Sequence, residues 1–342
     1  MISVKVQPEQ VFVVKGRSQQ TIHCDFIFKN MCDRNYQLSA IRMMAFDQSD
    51  YVISHKLING NGLAPSITTF PQRVAIPDGS IHIFNPFHSF DLELNISYLD
   101  FVFTFATENG DELYAHATIR PVEYKTKTDL ILPLKVRTYV SDGDDYYSHH
   151  RRVDFTHPVA QKLSLQKNPQ RYAYDFSVID DQGNLFHNNR NLENWYGYGT
   201  TVFSPGSGIV AEVVNDIPDN WFEDHQVVMG KNLNMTDLSS FAGNYVLIDH
   251  ENGEFSMLAH FKQGSIIVSK EDRIAQGEEI GKIGFSGDTS DWVHLHYELR
   301  NDMSFVESEG LPISFKNFNR YIGGKSVHHK FGKIETGDII TE

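Results

Sequence analysis

The stretch that decides the reading is "DWVHLHYELR", Asp291 to Arg300. Its two histidines aside, it reads as a strand. Successive side chains of a strand point to opposite faces, so His294 and His296 share one face and Leu295 takes the other. Neutral imidazole is the commonest side-chain ligand for metals. Two of them on one face suit a pair of ligands, or one ligand beside an acid/base group. The chain holds 16 histidines in 342 residues, so one His-x-His pair means little until other residues converge on it.

The rest of the composition limits what such a site can serve. With 40% hydrophobic and 22% charged residues, the chain is that of a soluble globular protein, with room for two ordinary domains or one large one. No apolar run approaches the ~20 residues that span a bilayer, so no transmembrane segment is expected. The opening "MISVKVQPEQVFVVKG" lacks the long apolar segment of a signal peptide. A formal net charge of −14 argues against nucleic acid as a partner, because phosphate contacts need clustered Lys and Arg. Cys24 and Cys32 are too few for a disulfide framework and lack a CxxC spacing; they form one disulfide or stay as two buried thiols.

Periodicity predicts a mainly β chain. Residues 1–125 alternate apolar and polar positions in "QTIHCDFIFKN" and "FDLELNISYLDFVFTFA", with turns at "NGNG", "PDGS" and "ENGD". This pattern predicts an antiparallel, immunoglobulin-like β-sandwich without a catalytic constellation. Residues 126–165 read as a linker and a histidine-containing loop, "SDGDDYYSHHRRVDFTHP", long enough to have a function. Strand signals return over 166–322, with "YAYDFSVID" around Asp175, an Asn-Gly hairpin in "NYVLIDHENGEFSMLAHF", and sharp-turn glycines in "RIAQGEEIGKIGFSG". Residues 323–342 read as a surface extension in which His328 and His329 are solvated. The stretches "GYG" and "GFSG" precede no helix, so they do not predict phosphate binding. Trp195 reads as core or as the lining of a groove.

The order of "YGYGTTVFSPGSGIVAEVV", "GNYVLIDHENGEFSMLAHFKQGSI" and "IAQGEEIGKIGFSGDTSDWVHLHYELR" resembles the lysostaphin-like (LytM-type) zinc metallopeptidases. The likeness covers about 195–315 and the segment around Asp175. It implies an antiparallel β catalytic domain, a Zn²⁺ cofactor, and hydrolysis of amide bonds in bacterial peptidoglycan peptides. It also implies a place in the periplasm or cell envelope. In that family a His-x-x-x-Asp strand supplies two zinc ligands; here "RYAYD" supplies Asp175, with Arg171 at the histidine position. The final His-x-His implies His296 as ligand and His294 beside the metal-bound water. "MLAHF" implies His260 as the other catalytic histidine.

Arginine stays protonated and offers no lone pair, while a catalytic zinc takes three protein ligands and keeps one position open. A third ligand must come from elsewhere. Relatives with a similar strand carry a histidine upstream of it, which here implies His149, with His150 as its alternative. The expected ligand set is therefore His149, Asp175 and His296, and Arg171 is left to pair with a carboxylate or contact substrate. The competing reading is a degenerate relative that binds a wall peptide or a partner enzyme without hydrolysis. A third reading makes the N-terminal sandwich the functional part, as an adhesion or assembly module.

Overall fold

The computed structural model describes all 342 residues. The chain forms two compact units, one of residues 1–124 with 154–161, the other of 125–153 with 162–342. Strands dominate both, and all but one of the strand pairings between named strands are antiparallel; the exception joins Val122–Glu123 to Phe12–Lys15. No helix is long and apolar enough to cross a membrane.

The first unit follows the alternation of its sequence. Tyr98–Ala106 buries every second residue, which turns Leu99, Phe101, Phe103 and Phe105 inward. It lies in a sheet between Glu112–Ile119 and Tyr36–Phe46. A three-stranded sheet ordered Ile2–Gln7, Asp25–Asn30, Ser80–Phe84 supplies the opposing Phe26 and Phe28. Phe26 meets Phe103 at 4.7 Å and Phe28 meets Phe105 at 5.1 Å, both edge to face, a favoured geometry for aromatic pairs. Cys24 and Cys32 are free thiols, which settles the alternatives against a disulfide.

The second unit is built on a ten-stranded sheet. Its order is Arg273–Ile274, Gly208–Val214, Tyr245–Asp249, Phe255–Ala259, Leu295–Arg300, Tyr174–Val178, Thr138–Asp142, Ile339–Thr341, Phe315–Ile322, Lys325–Gly332. Two expectations fail here. Residues 323–342 are not a surface extension: Lys325–Gly332 pairs with Phe315–Ile322 across the Gly323–Gly324 turn, and Ile339–Thr341 is an inner strand whose Ile340 is fully buried. His328 is exposed, but His329 stacks on Phe318 with ring centroids 5.1 Å apart. Nor is 126–165 one linker and loop, since Thr138–Asp142 is a central strand and Asp154–Gln161 belongs to the first unit.

Candidate metal centre and active-site pocket

Register places the site. Asp142 pairs with Asp175, Asp175 with His296, and His296 with Ala259, one row across four adjacent strands. Cross-strand partners share a face, so both carboxylates and His296 project together, and His260 follows at the end of the fourth strand. The loop after Asp142 returns His150 to the same face. Asp175 Oδ1 lies 3.2 Å from His296 Nδ1 and 3.4 Å from His150 Nε2, and the two ring nitrogens are 3.1 Å apart. Ligands 2.0–2.1 Å from a tetrahedral zinc stand about 3.3–3.4 Å from one another. The three atoms thus nearly describe one face of such a tetrahedron.

The unmet polar atoms support the same reading. Asp175 is 1% exposed, and its Oδ2 has no hydrogen-bond partner. Burial opposes its ionisation, yet the imidazoles of His150, His294 and His296 hold its carboxyl well below the usual range. Burial lowers the pKa of His150 to about 3, leaving it neutral. His296 differs: burial opposes its charge, but Asp175 and Glu298 outweigh that and raise it to about 9. An anionic oxygen and two imidazole nitrogens at these separations demand a positive charge among them. A metal ion meets that demand, and a proton on His296 meets part of it.

Behind each imidazole stands a carboxylate. His150 Nδ1 is 3.6 Å from Asp142 Oδ2, and His296 Nε2 is 3.8 Å from Glu298 Oε2, both just beyond hydrogen-bond length. Carboxylates in such positions fix the tautomer and orientation of metal-binding histidines. Arg300, fully buried, holds Glu298 at 3.0 Å. Glu298 and Arg300 continue the every-second-residue row of His294 and His296. That period in "HLHYELR" was the signal for them, and the motif reading stopped short of it.

Of the two loop histidines, the structure sets His150 inward and His149 outward. The His149 side chain is 59% exposed, and its Nε2 stands 4.0 Å from Asp175 Oδ2. Its Nδ1 and backbone N–H are both engaged by Asp142. Asp142, His149, His150 and Asp175 also bring ligand atoms within 4.8 Å of one another. Within that group Asp142 already accepts those two bonds, so the tighter triangle through His296 is the better-formed set of donors. Of the two expected candidates, His149 and its alternative His150, it is His150 whose ring nitrogen stands nearer to both Asp175 Oδ1 and His296 Nδ1.

Two further imidazoles face the triangle. His294 donates from Nδ1 to Trp292 O at 3.1 Å, which leaves the Nε2 lone pair 3.4 Å from Asp175 Oδ1. His260 donates from Nδ1 to Ser286 O at 2.8 Å, so its Nε2 is also an acceptor. Burial lowers the pKa of both, keeping them neutral. Their ring centroids are 4.9 Å apart. His260 has φ +68°, a region costly for a side-chain-bearing residue and typical of functional positions. Its support is fixed by a close backbone crossing: a Cβ at Gly243, where φ is +65°, would lie 2.4 Å from the Ser286 carbonyl. Arg171 takes no part in the cluster; its Nε donates to Glu309 at 2.6 Å, a buried ion pair. The carboxylate alternative expected for it is the one observed. Trp195 is core, 3% exposed.

The pocket over these groups has an apolar wall that includes Leu238, Phe241, Met257 and Phe305, and a polar rim that includes Gln170, Asp288 and Ser290. No lysine or arginine lines it.

Residues 195–308 match the family model described as Peptidase family M23. That span contains His260, His294 and His296 and begins after Asp175 and the histidine loop. Peptidoglycan DD-endopeptidase ShyA of Vibrio cholerae serotype O1 is 31% identical over 172 residues, which are 48% of this chain and 32% of that protein. The chain therefore spans about a third of the length of this curated relative. Among solved structures, a zinc containing peptidase from Vibrio cholerae is 15% identical, covering 80% of this chain and 82% of that one with a TM-score of 0.29. Csd3 of Helicobacter pylori is 13% identical, covering 89% and 72% with a TM-score of 0.28.

Proposed function

We propose, from the premise that residues 195–308 form a peptidase family M23 domain, that this protein is a zinc-dependent endopeptidase that hydrolyses amide bonds in peptidoglycan peptides. The observation that carries the reading is the triangle of His150 Nε2, Asp175 Oδ1 and His296 Nδ1, with sides of 3.1, 3.2 and 3.4 Å. These three would hold Zn²⁺, with Asp142 and Glu298 orienting the two rings. When bound, the metal supplies a Lewis acid and a water acidified to a pKa of about 7.

The remaining chemistry belongs to the chain. His294 and His260 present neutral Nε2 lone pairs toward the place a reacting amide would occupy. One takes the proton as water adds to the carbonyl carbon. The imidazolium so formed lies in a water-poor site, where it stabilises the developing oxyanion and returns the proton to the leaving amine. The apolar wall keeps water from competing for these groups.

The test combines metal analysis with digestion of purified peptidoglycan. The wild-type chain should take up about one zinc and release soluble peptide fragments, and chelation should abolish release. Zinc uptake without any cleavage would leave the non-hydrolysing alternative standing.

A further inference from the structure

The histidine loop is gripped from two sides. On one side Asp142 Oδ2 accepts the His149 backbone N–H at 3.0 Å. On the other, the side chain of Asn168, 1% exposed, donates from Nδ2 to His150 O at 2.8 Å and to Arg151 O at 3.4 Å. Its Oδ1 accepts the Gln170 N–H at 3.0 Å, so both ends of the amide are engaged. Asn168 is itself anchored. Its backbone N–H donates to Glu309 Oε2 at 3.4 Å, and its carbonyl accepts the N–H of Gly310 at 2.9 Å and of Arg171 at 3.3 Å. The two segments cross so closely that a Cβ on Gly310 would stand 2.6 Å from Pro169 O. Glu309 Oε1 in turn accepts from Arg171 Nε at 2.6 Å. Buried polar contacts thus run from Arg171 through Glu309 and Asn168 to the backbone of His150.

We infer that Asn168 is a positioning residue that sets the His150 ring against Asp175 and His296, and that Arg171, which stands where the lysostaphin-like motif has a histidine, supports Asn168 through Glu309. The inference rests on the zinc reading and deepens it: the strand position that cannot ligate braces the loop histidine that does. A buried carbonyl has no water to turn to, so losing its amide donor leaves it unpaired and frees the loop to shift. The His150 ring shifts with it, and a metal site tolerates little displacement of a ligand atom.

The experiment uses the full-length chain as wild type, Asn168→Asp, the double variant Arg171→Met/Glu309→Gln, and Ile248→Val, which thins the buried core on a strand away from the loop. Asn168→Asp keeps the oxygen that accepts from Gln170 and removes the donor to His150 O. The double variant removes both charges, so neither is left buried alone. Zinc affinity is read by competition with a chromogenic chelator, the loop by hydrogen exchange over residues 143–152 of the metal-free chain, and stability by denaturant unfolding. Asn168→Asp should weaken zinc binding about 10–100-fold and speed exchange in the loop. The double variant should do both to a smaller degree. Ile248→Val should lose stability with wild-type zinc affinity and wild-type loop exchange. Unchanged affinity in Asn168→Asp, or a loss that Ile248→Val shares at equal stability, would overturn the inference while leaving the zinc site intact. Unchanged affinity in the double variant would overturn the part assigned to Arg171. Should the wild type take up no zinc, the zinc reading fails, and exchange in the metal-free chain decides the inference: faster exchange confined to the loop in Asn168→Asp upholds it, and unchanged exchange sinks it.

Discussion

Each unit buries a cluster of histidine and aspartate, and the two clusters are built on opposite arithmetic. In the first unit one imidazole sits between two carboxylates: His82 Nδ1 is 3.2 Å from Asp154 Oδ1, and His82 Nε2 is 3.9 Å from Asp25 Oδ2. Burial opposes a charge on His82, but the two aspartates outweigh it and raise its pKa. Asp154 Oδ1 and the Phe155 N–H both reach His82 Nδ1, and the cluster fastens residues 154–161 to the strand of His82. In the second unit one carboxylate faces His150, His294 and His296, with two of them neutral. Donor atoms outnumber charges there. Buried polar groups in folded proteins are almost always paired, so a surplus of lone pairs converging on one point is the mark of a ligand site, while a balanced set is the mark of structure.

The largest expected effect comes from removing a corner of the triangle. His296→Ala should abolish stoichiometric zinc binding and lower turnover by on the order of 10³ or more, because two ligands hold zinc poorly. Elemental analysis and peptidoglycan digestion read the two losses. Next come the two imidazoles outside the triangle. His260→Ala and His294→Ala should retain zinc yet lose about 10²–10⁴ in kcat; loss of metal in either would mean that their roles and those of the ligands are exchanged.

Smaller effects follow from the supporting carboxylates. Glu298→Gln should weaken zinc binding about 10–100-fold, seen as a shift in competition with a chromogenic chelator, with the fold retained by circular dichroism. Affinity equal to wild type would make Glu298 a partner of Arg300 alone.

The balanced cluster should answer to pH and not to metal. His82 has a raised pKa in the folded unit, so its contribution to stability is full below its unfolded value of about 6.5 and is lost as pH rises through the folded value. Asp154 is lowered to about 2: burial opposes its charge, but His82 and Thr156 outweigh that, so its contribution is full above about 4 and is lost as pH falls toward 2. Denaturant unfolding of the full chain with His82→Gln should show a loss of about 1–3 kcal/mol at pH 6 and a smaller loss at pH 9, at unchanged zinc content. A loss that does not vary with pH would remove the charge from the account.

Much of the site was legible because strand periodicity carries side-chain direction. His294, His296, Asp175 and His260 lie on or beside regular strands, and the structure brings them within one pocket. The same period runs on to Glu298 and Arg300, which a reading limited to the metal motif passed over. Loop geometry was not legible. His149 and His150 differ by one residue, and which of them faces Asp175 depends on how Asp142 caps the turn through His149. The C-terminal hairpin was misread because Lys325–Gly332 is largely exposed on both faces at a sheet edge, where burial imposes no clear alternation. The passage of Asp154–Gln161 into the first unit depends on a partner, His82, more than 70 positions away in the chain.

The central claim is that zinc is held by His150, Asp175 and His296. Zinc content and zinc-edge X-ray absorption of the full-length protein, measured on wild type, His150→Ala and His149→Ala, test it most directly. The wild type should hold about one zinc with nitrogen and oxygen neighbours at about 2.0–2.1 Å. His150→Ala should lose the metal, and His149→Ala should keep it with the same neighbour distances. A wild type that takes up no zinc, or a pair in which His149→Ala empties the site and His150→Ala does not, would contradict the account.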